Sequence, residues 1–452
     1  MNVLDVLEKV KAAGVIGAGG AGFPTHVKLN STPEYLIVNG AECEPLLRVD
    51  QQLGAMYADE LLETLETLRA GCGARRAIYA LKEKYHDAVD ALGADIHRYP
   101  DIEMRMLRNT YPAGDEQVLV YETIGRVVPE GGIPIAVGAV VLNVETLYNV
   151  SRALSGLPVT EKFVTVGGAV KSPSTVKFPI GITIQEAIDY CGGPVANDFA
   201  VIDGGPMMGK LTAPESPITK TTKGLLVLPK DHPWVVAKGR DMARMLGMAK
   251  ISCCHCMLCT EVCPRNLLGH KLRPDKMMRL ASYNTTAEKD AAATEAFLCC
   301  ECALCELGCV MGLQPWKLHQ ELKRRLGGLG IKNPHKDAPK AAAKFREFKL
   351  YPVQKLIRRV GVTAYDVPAP FRGAYDAPVK LVTLPLKQSL GAPSKPCVTC
   401  GGAVSKGDLV AEIPEGALGS RLHSPVDGHV LRLDDKSITI ETAQESTRGR
   451  LN

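Results

Sequence analysis

The sequence predicts a multidomain fold of mixed α/β and α+β class. Its units are an α/β unit over residues 1–158, a small α+β unit over 159–235, a helical unit over 236–345, a linker over 346–378 and a small β unit over 379–452. Three observations carry this. Helical patterns alternate with short apolar runs through the first third, eight cysteines recur at one spacing in a helical stretch, and glycine turns separate strand-like runs near the end.

In the first unit the apolar runs at Tyr35–Val38 and Ala136–Leu142 alternate with helical segments, as βαβ units do. The amphipathic start sets Val3, Leu4, Val6, Leu7 and Val10 against Asp5, Glu8, Lys9 and Lys11. It reads as the first helix of its domain or as an encapsulation helix. After it comes Gly17-Ala18-Gly19-Gly20-Ala21-Gly22-Phe23-Pro24-Thr25. Consecutive glycines let backbone N–H groups approach a phosphate without Cβ clashes, and Lys28 supplies charge, so a nucleotide-like ligand is the natural candidate. Alone, such a loop is weak evidence, because many are only tight turns.

From Lys162 the texture changes to FVTVGGAV, a proline turn, VKFPIGITIQEAIDYCGG and a GGPMMG turn, which reads as short strands around one helix, a domain of β-grasp type.

The helical unit holds Cys253, Cys256, Cys259 and Cys263 followed by Pro264, then Cys299, Cys302, Cys305 and Cys309 followed by Val310. This doubled CxxCxxCxxxC run resembles the bacterial ferredoxin pattern, in which three thiolates hold one [4Fe–4S] cluster and the fourth reaches across to the other. By that pattern Cys253, Cys256, Cys259 and Cys309 hold one cluster, and Cys299, Cys302, Cys305 and Cys263 the other. Structural zinc is the alternative, but zinc has no use for a third cysteine three residues on. Cys254 and Cys300, each beside a ligand, read as spares. The basic segment from Lys317 to Lys349 reads as a solvated helix and linker, or as a docking surface for an acidic partner.

In the last unit a lone CxxC, Cys397 and Cys400, is either a metal or redox pair or two inert turn cysteines. Cys43 and Cys191 read as packing residues, and neither His26 nor His255 belongs to a ligand constellation. No compact catalytic set such as GxSxG is present.

Composition bounds the partners. The 452 residues carry a formal charge of only +5, too small to imply nucleic acid. Fifteen cysteines behind a start, MNVLDVLEKVKAAG, without a signal-peptide core point to a reducing compartment, the cytoplasm. The longest apolar run, 133–144, is too short to span a bilayer and contains Pro134, so no direct membrane insertion is expected.

GAGGAGFPTHVKL (17–29), VNGAECEP (38–45), YPAGDEQ (111–117), LNVETLYNV (142–150) and GGPMMG (204–209), with both cysteine runs, resemble the flavin-binding 51-kDa subunit of complex I and, more closely, the C subunit of the Rnf complex. The resemblance implies a complex I 51-kDa-like flavin domain, a β-grasp domain of the soluble-ligand-binding type, a ferredoxin-like double-cluster domain, and FMN with NADH stacked on it. Carried over by position, Gly19, Gly20, Asn39, Glu42, Asn143 and Thr146 contact the flavin, and Phe23, Lys28, Glu44 and Glu116 face the nicotinamide nucleotide. Ala41 stands where the complex I pattern has aspartate, and Leu142 replaces the first of two asparagines.

The last unit resembles the barrel-sandwich hybrid of lipoyl and biotinyl carriers and of the Rnf protein. The hairpin tip offers Asp427-Gly428 where a carrier needs lysine, which argues against a swinging arm. In the Rnf protein this module precedes the flavin domain; here it follows the clusters. That order is similar to the cobalamin reductases of propanediol-utilising bacterial microcompartments. The resemblance implies electron flow from NADH through FMN and two [4Fe–4S] clusters to corrinoid cobalt, from Co(III) toward Co(I). It also implies a cobalamin adenosyltransferase and a microcompartment shell protein as partners, and residence in or beside the microcompartment. No DxHxxG corrinoid box occurs. The β-grasp unit is either a corrinoid-binding module or a packing module between flavin and clusters. The rival readings are an Rnf-like or amino-acid-reductase-associated subunit with a protein or quinone-pool acceptor, and a scaffold whose clusters serve only as a conduit.

Overall fold

A computed structural model describes residues 3–283 and 291–443. Residues 1, 2, 284–290 and 444–452, assigned from sequence to the first, third and last units, lie outside the described residues.

The first unit is built on a parallel four-stranded sheet in the order Ile102–Leu107, Arg76–Lys82, Tyr35–Gly40, Ala139–Asn143. Three of its strands are buried on both faces, hence their near-continuous apolar runs, whereas the edge strand Ile102–Leu107 is partly exposed. Leu36 and Val38 join Leu61, Leu65 and Leu147 in one core; Ile37, with Ile78 and Val141, joins Leu119 and Val120 in another. The apolar run expected over 136–142 is interrupted. Gly138, at φ 76°, separates a 3-10 turn, Pro134–Val137, from the strand Ala139–Asn143. The starting helix, Val3–Ala12, buries Val6 and Val10 in the first core, as the first helix of a domain does.

The second unit is a six-stranded mixed sheet in the order Phe371–Ala374, Ser174–Pro179, Glu161–Gly168, Gly224–Pro229, Phe199–Asp203, Lys210–Thr212. The central pair, Glu161–Gly168 and Gly224–Pro229, runs parallel, and the helix Ile184–Tyr190 begins in a capping box of Thr183 and Glu186, the β-grasp arrangement.

The stretch 346–378, expected to be a linker, is a structured strap. Tyr351–Pro352 pairs with Thr110–Tyr111, the helix Val353–Val360 buries Val353, Leu356, Ile357 and Val360, and Phe371–Ala374 forms the sheet edge. The apolar spacing of VQKLIRRV, one face of a helix, is the physical reason.

In the helical unit, Met242–Ser252, Pro274–Tyr283 and Pro315–Gly328 share a core of Met245, Met277, Met278, Leu313 and Leu318. The last unit is a barrel-sandwich hybrid of a four-stranded and a three-stranded antiparallel sheet. It rests on the glycine-rich segment. Leu390 N–H donates to the Gly22 carbonyl at 3.0 Å, and Lys220 Nζ bridges the Gly14 and Arg421 carbonyls, each at 2.7 Å. Among the described residues no helix is long and apolar enough to cross a membrane.

Candidate functional site

From Tyr35–Gly40 the sheet grows outward through two strands on one side, and Ala139–Asn143 then joins on the other, so the chain order reverses between these two neighbours. Ligands of open α/β sheets bind at the carboxyl ends of the strands at such a point. A cavity of about 550 Å³ opens there, lined by Gly19, Gly20, Phe23, Lys28, Asn39, Glu116, Asn143 and Thr146, together with Thr25, Ile135, Leu142 and Leu390.

The glycine segment is held close by its own backbone. Gly17 N–H donates to the Phe23 carbonyl at 2.9 Å, and Ala18 N–H to Thr146 Oγ1 at 2.9 Å. A Cβ on Gly19 would stand 3.0 Å from the Asn143 amide, whereas one on Gly20 would meet nothing within 4 Å. Asn143 caps the following helix through Glu145 N–H at 3.0 Å and donates to Asp50 Oδ2 at 2.9 Å, and Lys223 pairs with the same carboxylate. Lys28 and Glu116 pair at 2.6 Å in the cavity wall. Exposed glycine backbone, the buried Thr25 Oγ1, which has no partner among the described residues, and an apolar flank at Ile135, Leu142 and Leu390 fit a planar ring joined to a phosphate-bearing chain.

Glu42 and Glu44 do not line this cavity, contrary to expectation. Glu42 and Leu46 adopt left-handed backbone, at φ 35° and 69°, so the chain turns away after Gly40. Glu42 accepts from Asp50 N–H at 3.1 Å and reaches the cavity only through Asp50 and Asn143; burial, then the Asp50 charge, raises its pKa. Glu44 accepts from Met207 and Met208 N–H at 2.8 and 2.7 Å, and burial raises its pKa against those bonds. A Cβ on Gly205 would lie 2.3 Å from Glu44, so this carboxylate organises the GGPMMG turn.

The cysteine loops repeat one backbone form. His255 and Met257 in the first loop, Glu301 and Ala303 in the second, have φ of 54°, 65°, 58° and 60°, at the same offsets from Cys253 and Cys299. Non-glycine residues tolerate this conformation only where their surroundings impose it. Cys253, Cys256, Cys259 and Cys309 line one small cavity. Cys263 packs with Cys299, and burial, followed by the Cys299 and Cys263 thiols, pushes the Cys305 thiol up. Gly308 lets the loops close, since a Cβ there would come within 2.6 Å of Val262. Among the described residues no group of three or more His, Cys, Asp or Glu side chains is placed for a single metal ion. Cys254 is exposed and lines the same small cavity, and Cys300 is half-buried against the apolar cluster that holds Cys302. Cys397 and Cys400 are exposed on the barrel.

Three residues that sequence reasoning passed over join the sites. Tyr111 O–H donates to the Cys302 carbonyl at 2.8 Å, and Arg265 binds Asp115 at 2.8 Å and Gln117 Oε1 at 2.7 Å. Tyr111 and Asp115 lay within YPAGDEQ, the available signal; Arg265, two places after Cys263, had none.

Family comparison agrees unit by unit. The complex I 51-kDa FMN-binding domain matches residues 10–152, the SLBB domain 163–211, a 4Fe–4S dicluster domain 252–314 and the RnfC barrel-sandwich hybrid domain 374–447. Over 448 residues, 96% of each chain, the protein is 41% identical to the cobalamin reductase PduS of Citrobacter freundii. The chain belongs to the cobalamin reductase family. A second cobalamin reductase, PduS of Salmonella typhimurium, is 41% identical over 440 residues, again 96% of each chain. The C subunit of the Na(+)-translocating ferredoxin:NAD(+) oxidoreductase complex of Acetobacterium woodii is 35% identical over 271 residues, 58% of each chain. This cobalamin reductase family member is an oxidoreductase that transfers electrons through FMN and two [4Fe–4S] clusters.

Proposed function

We propose that the protein carries electrons from NADH to the cobalt of a corrinoid, lowering Co(III) toward Co(I) for adenosylcobalamin regeneration. The observation that carries this reading is the 41% identity to cobalamin reductases across 96% of the chain. The contacts that lead from Asn39 in the cavity wall through Gly114 and Cys43 to the apolar cluster of Tyr111 and Cys302 support it.

When bound, FMN takes up a hydride as two electrons and returns them singly, the chemistry that joins a nicotinamide to one-electron centres. Gly19, Gly20, Asn39, Asn143 and Thr146 would hold it, with Asp50 and Lys223 fixing Asn143. Phe23, Lys28 and Glu116 would face the nicotinamide nucleotide. Cys253, Cys256, Cys259 and Cys309 would ligate one cluster, and Cys263, Cys299, Cys302 and Cys305 the other. A cobalamin adenosyltransferase would take the Co(I), and a shell protein would retain the enzyme in or beside a microcompartment.

Anaerobic stopped-flow absorbance tests this. NADH should bleach flavin and clusters, and hydroxocobalamin should then give the Co(II) spectrum. Bleaching without cobalt reduction would favour an Rnf-like protein or quinone-pool acceptor, the reading the Acetobacterium relative supports.

A further inference from the structure

We infer that the barrel supplies the outer wall of the donor pocket: Leu390, carried in from the last unit, completes with Val27 and Ile133 an apolar rim that seats a flat ring of the nicotinamide dinucleotide. The assignment rests on the proposed nicotinamide donor and gives the barrel a part in holding it.

The cavity has two levels. Its floor is made by Ala139, Val141, Leu142 and Thr146, all almost wholly buried. Its mouth carries large apolar side chains that water reaches, Val27 at 40%, Ile133 at 65% and Leu390 at 45% exposure. Single exposed apolar residues are ordinary on a protein surface, but these come from three separate stretches of the chain and converge on one rim. The flavin assigned to Gly19, Gly20, Asn39, Asn143 and Thr146 takes the floor, so a second flat ligand laid against it meets the rim. A dinucleotide brings the apolar ring faces that such a rim binds.

Leu390 stands there without help from a ligand. Its N–H donates to the Gly22 carbonyl at 3.0 Å, and Gly22, at φ 69°, lies so close that a Cβ there would come within 3.1 Å of the Gln388 carbonyl oxygen. Gln388 is buried and accepts through Oε1 from Lys220 N–H of the second unit at 3.0 Å. On the far side Gly391 adopts φ 115°, where a Cβ would stand 2.1 Å from the Leu418 carbonyl oxygen, and Ala392 N–H donates to that oxygen at 2.8 Å. The loop is therefore pinned to the first, second and last units. A wall fixed before binding loses little conformational freedom when a ring packs on it, so the apolar contact passes almost undiminished into affinity.

The experiment compares the reconstituted full-length wild type with Leu390→Ala, Leu390→Met and Leu431→Ala, the last altering a comparably exposed barrel leucine that does not line the cavity. Flavin content, iron content and melting temperature are measured for each protein. NAD+ binding is then read by calorimetry on the oxidised proteins, and KM and kcat for NADH are read with ferricyanide as acceptor. Leu390→Ala should bind NAD+ about tenfold more weakly, the effect of uncovering part of one leucine side chain, and its KM should rise in proportion. Its kcat, flavin and iron should match wild type. Leu390→Met should recover most of the loss, and Leu431→Ala should behave as wild type. Leu390→Asn, similar in size but polar, is read in the same way and decides should Leu390→Ala fail to fold. Unchanged NAD+ binding, flavin lost in step with NAD+ affinity, or an equal loss in Leu431→Ala overturns the assignment while leaving NADH as donor. A wild type that neither binds NAD+ nor has its flavin reduced by NADH removes the donor reading, and the donor wall with it.

Discussion

Arg265 grips Asp115 through two contacts, Nη1 to Oδ1 at 2.8 Å and Nη2 to Oδ2 at 2.9 Å, tying the segment after Cys263 to the N-cap of the helix Glu116–Ile124. The pair is almost wholly buried, at 10% and 13% side-chain exposure. The helix Glu116–Ile124 and the loop after Cys263 therefore cannot separate without stranding a charge.

Arg265→Met should lower stability by about 3–5 kcal/mol, the usual result of orphaning one partner of a buried pair. Adding Asp115→Asn should recover part of that loss. Chemical denaturation of both proteins checks it, and an unchanged midpoint for the single variant would remove the pair's structural role.

The two neighbouring glycines should respond differently. Gly19→Ala drives a methyl against the Asn143 amide at 3.0 Å and should weaken flavin retention, along with a modest loss of stability. Gly20→Ala points into open cavity space, so its stability should stay within roughly 0.5 kcal/mol of wild type while flavin affinity falls. Flavin absorbance after gel filtration, read beside iron content, separates these outcomes.

Glu44→Gln should act on the fold and leave nucleotide binding alone. The carboxylate accepts two N–H groups of the GGPMMG turn, and losing one of these bonds in a buried site costs about 1–3 kcal/mol. The melting temperature should drop with KM for NADH unmoved; a raised KM at constant melting temperature would return Glu44 to the nucleotide face.

His319 is buried, neither ring nitrogen has a partner among the described residues, and burial drives its pKa down from 6.5 to about 3. The unfolded chain binds this proton below 6.5 while the native chain refuses it. Stability therefore falls as the pH drops from 6.5 toward 3, by up to ~1.4 kcal/mol per pH unit. His319→Phe should flatten that part of the pH–stability curve, and urea titrations at stepped pH would expose a curve as steep as wild type.

Cluster removal should loosen the helical unit first. Four non-glycine residues in the loops hold left-handed backbone, a strain of about 1–3 kcal/mol each that metal ligation offsets. Anaerobic oxidation with a chelator should raise proteolysis between 240 and 330 while the flavin stays bound; flavin lost in step with iron would show the units to be inseparable.

Sequence disclosed what is local. The cysteine spacing reports a 4Fe–4S dicluster unit because a cubane is wrapped by one short loop, and the glycine segment reports a close backbone approach because its pattern is equally local. Glu44 stands outside the cavity lining because the left-handed turn at Glu42 redirects the chain after it, which spacing does not encode. Leu390 carried no local signal, being delivered to the cavity by the packing of a distant unit. The strap over 346–378 was readable from Val353, Leu356, Ile357 and Val360, whose helical spacing basic neighbours disguise.

Where the barrel sits has an evolutionary reading. Its seam runs along Gly14 and Gly22, so the last unit packs back on the first. A module seated there depends on that seam and not on its place in the order of units. Shuffling this module from tail to head, as the Rnf resemblance describes, would leave its grip on the glycine segment intact.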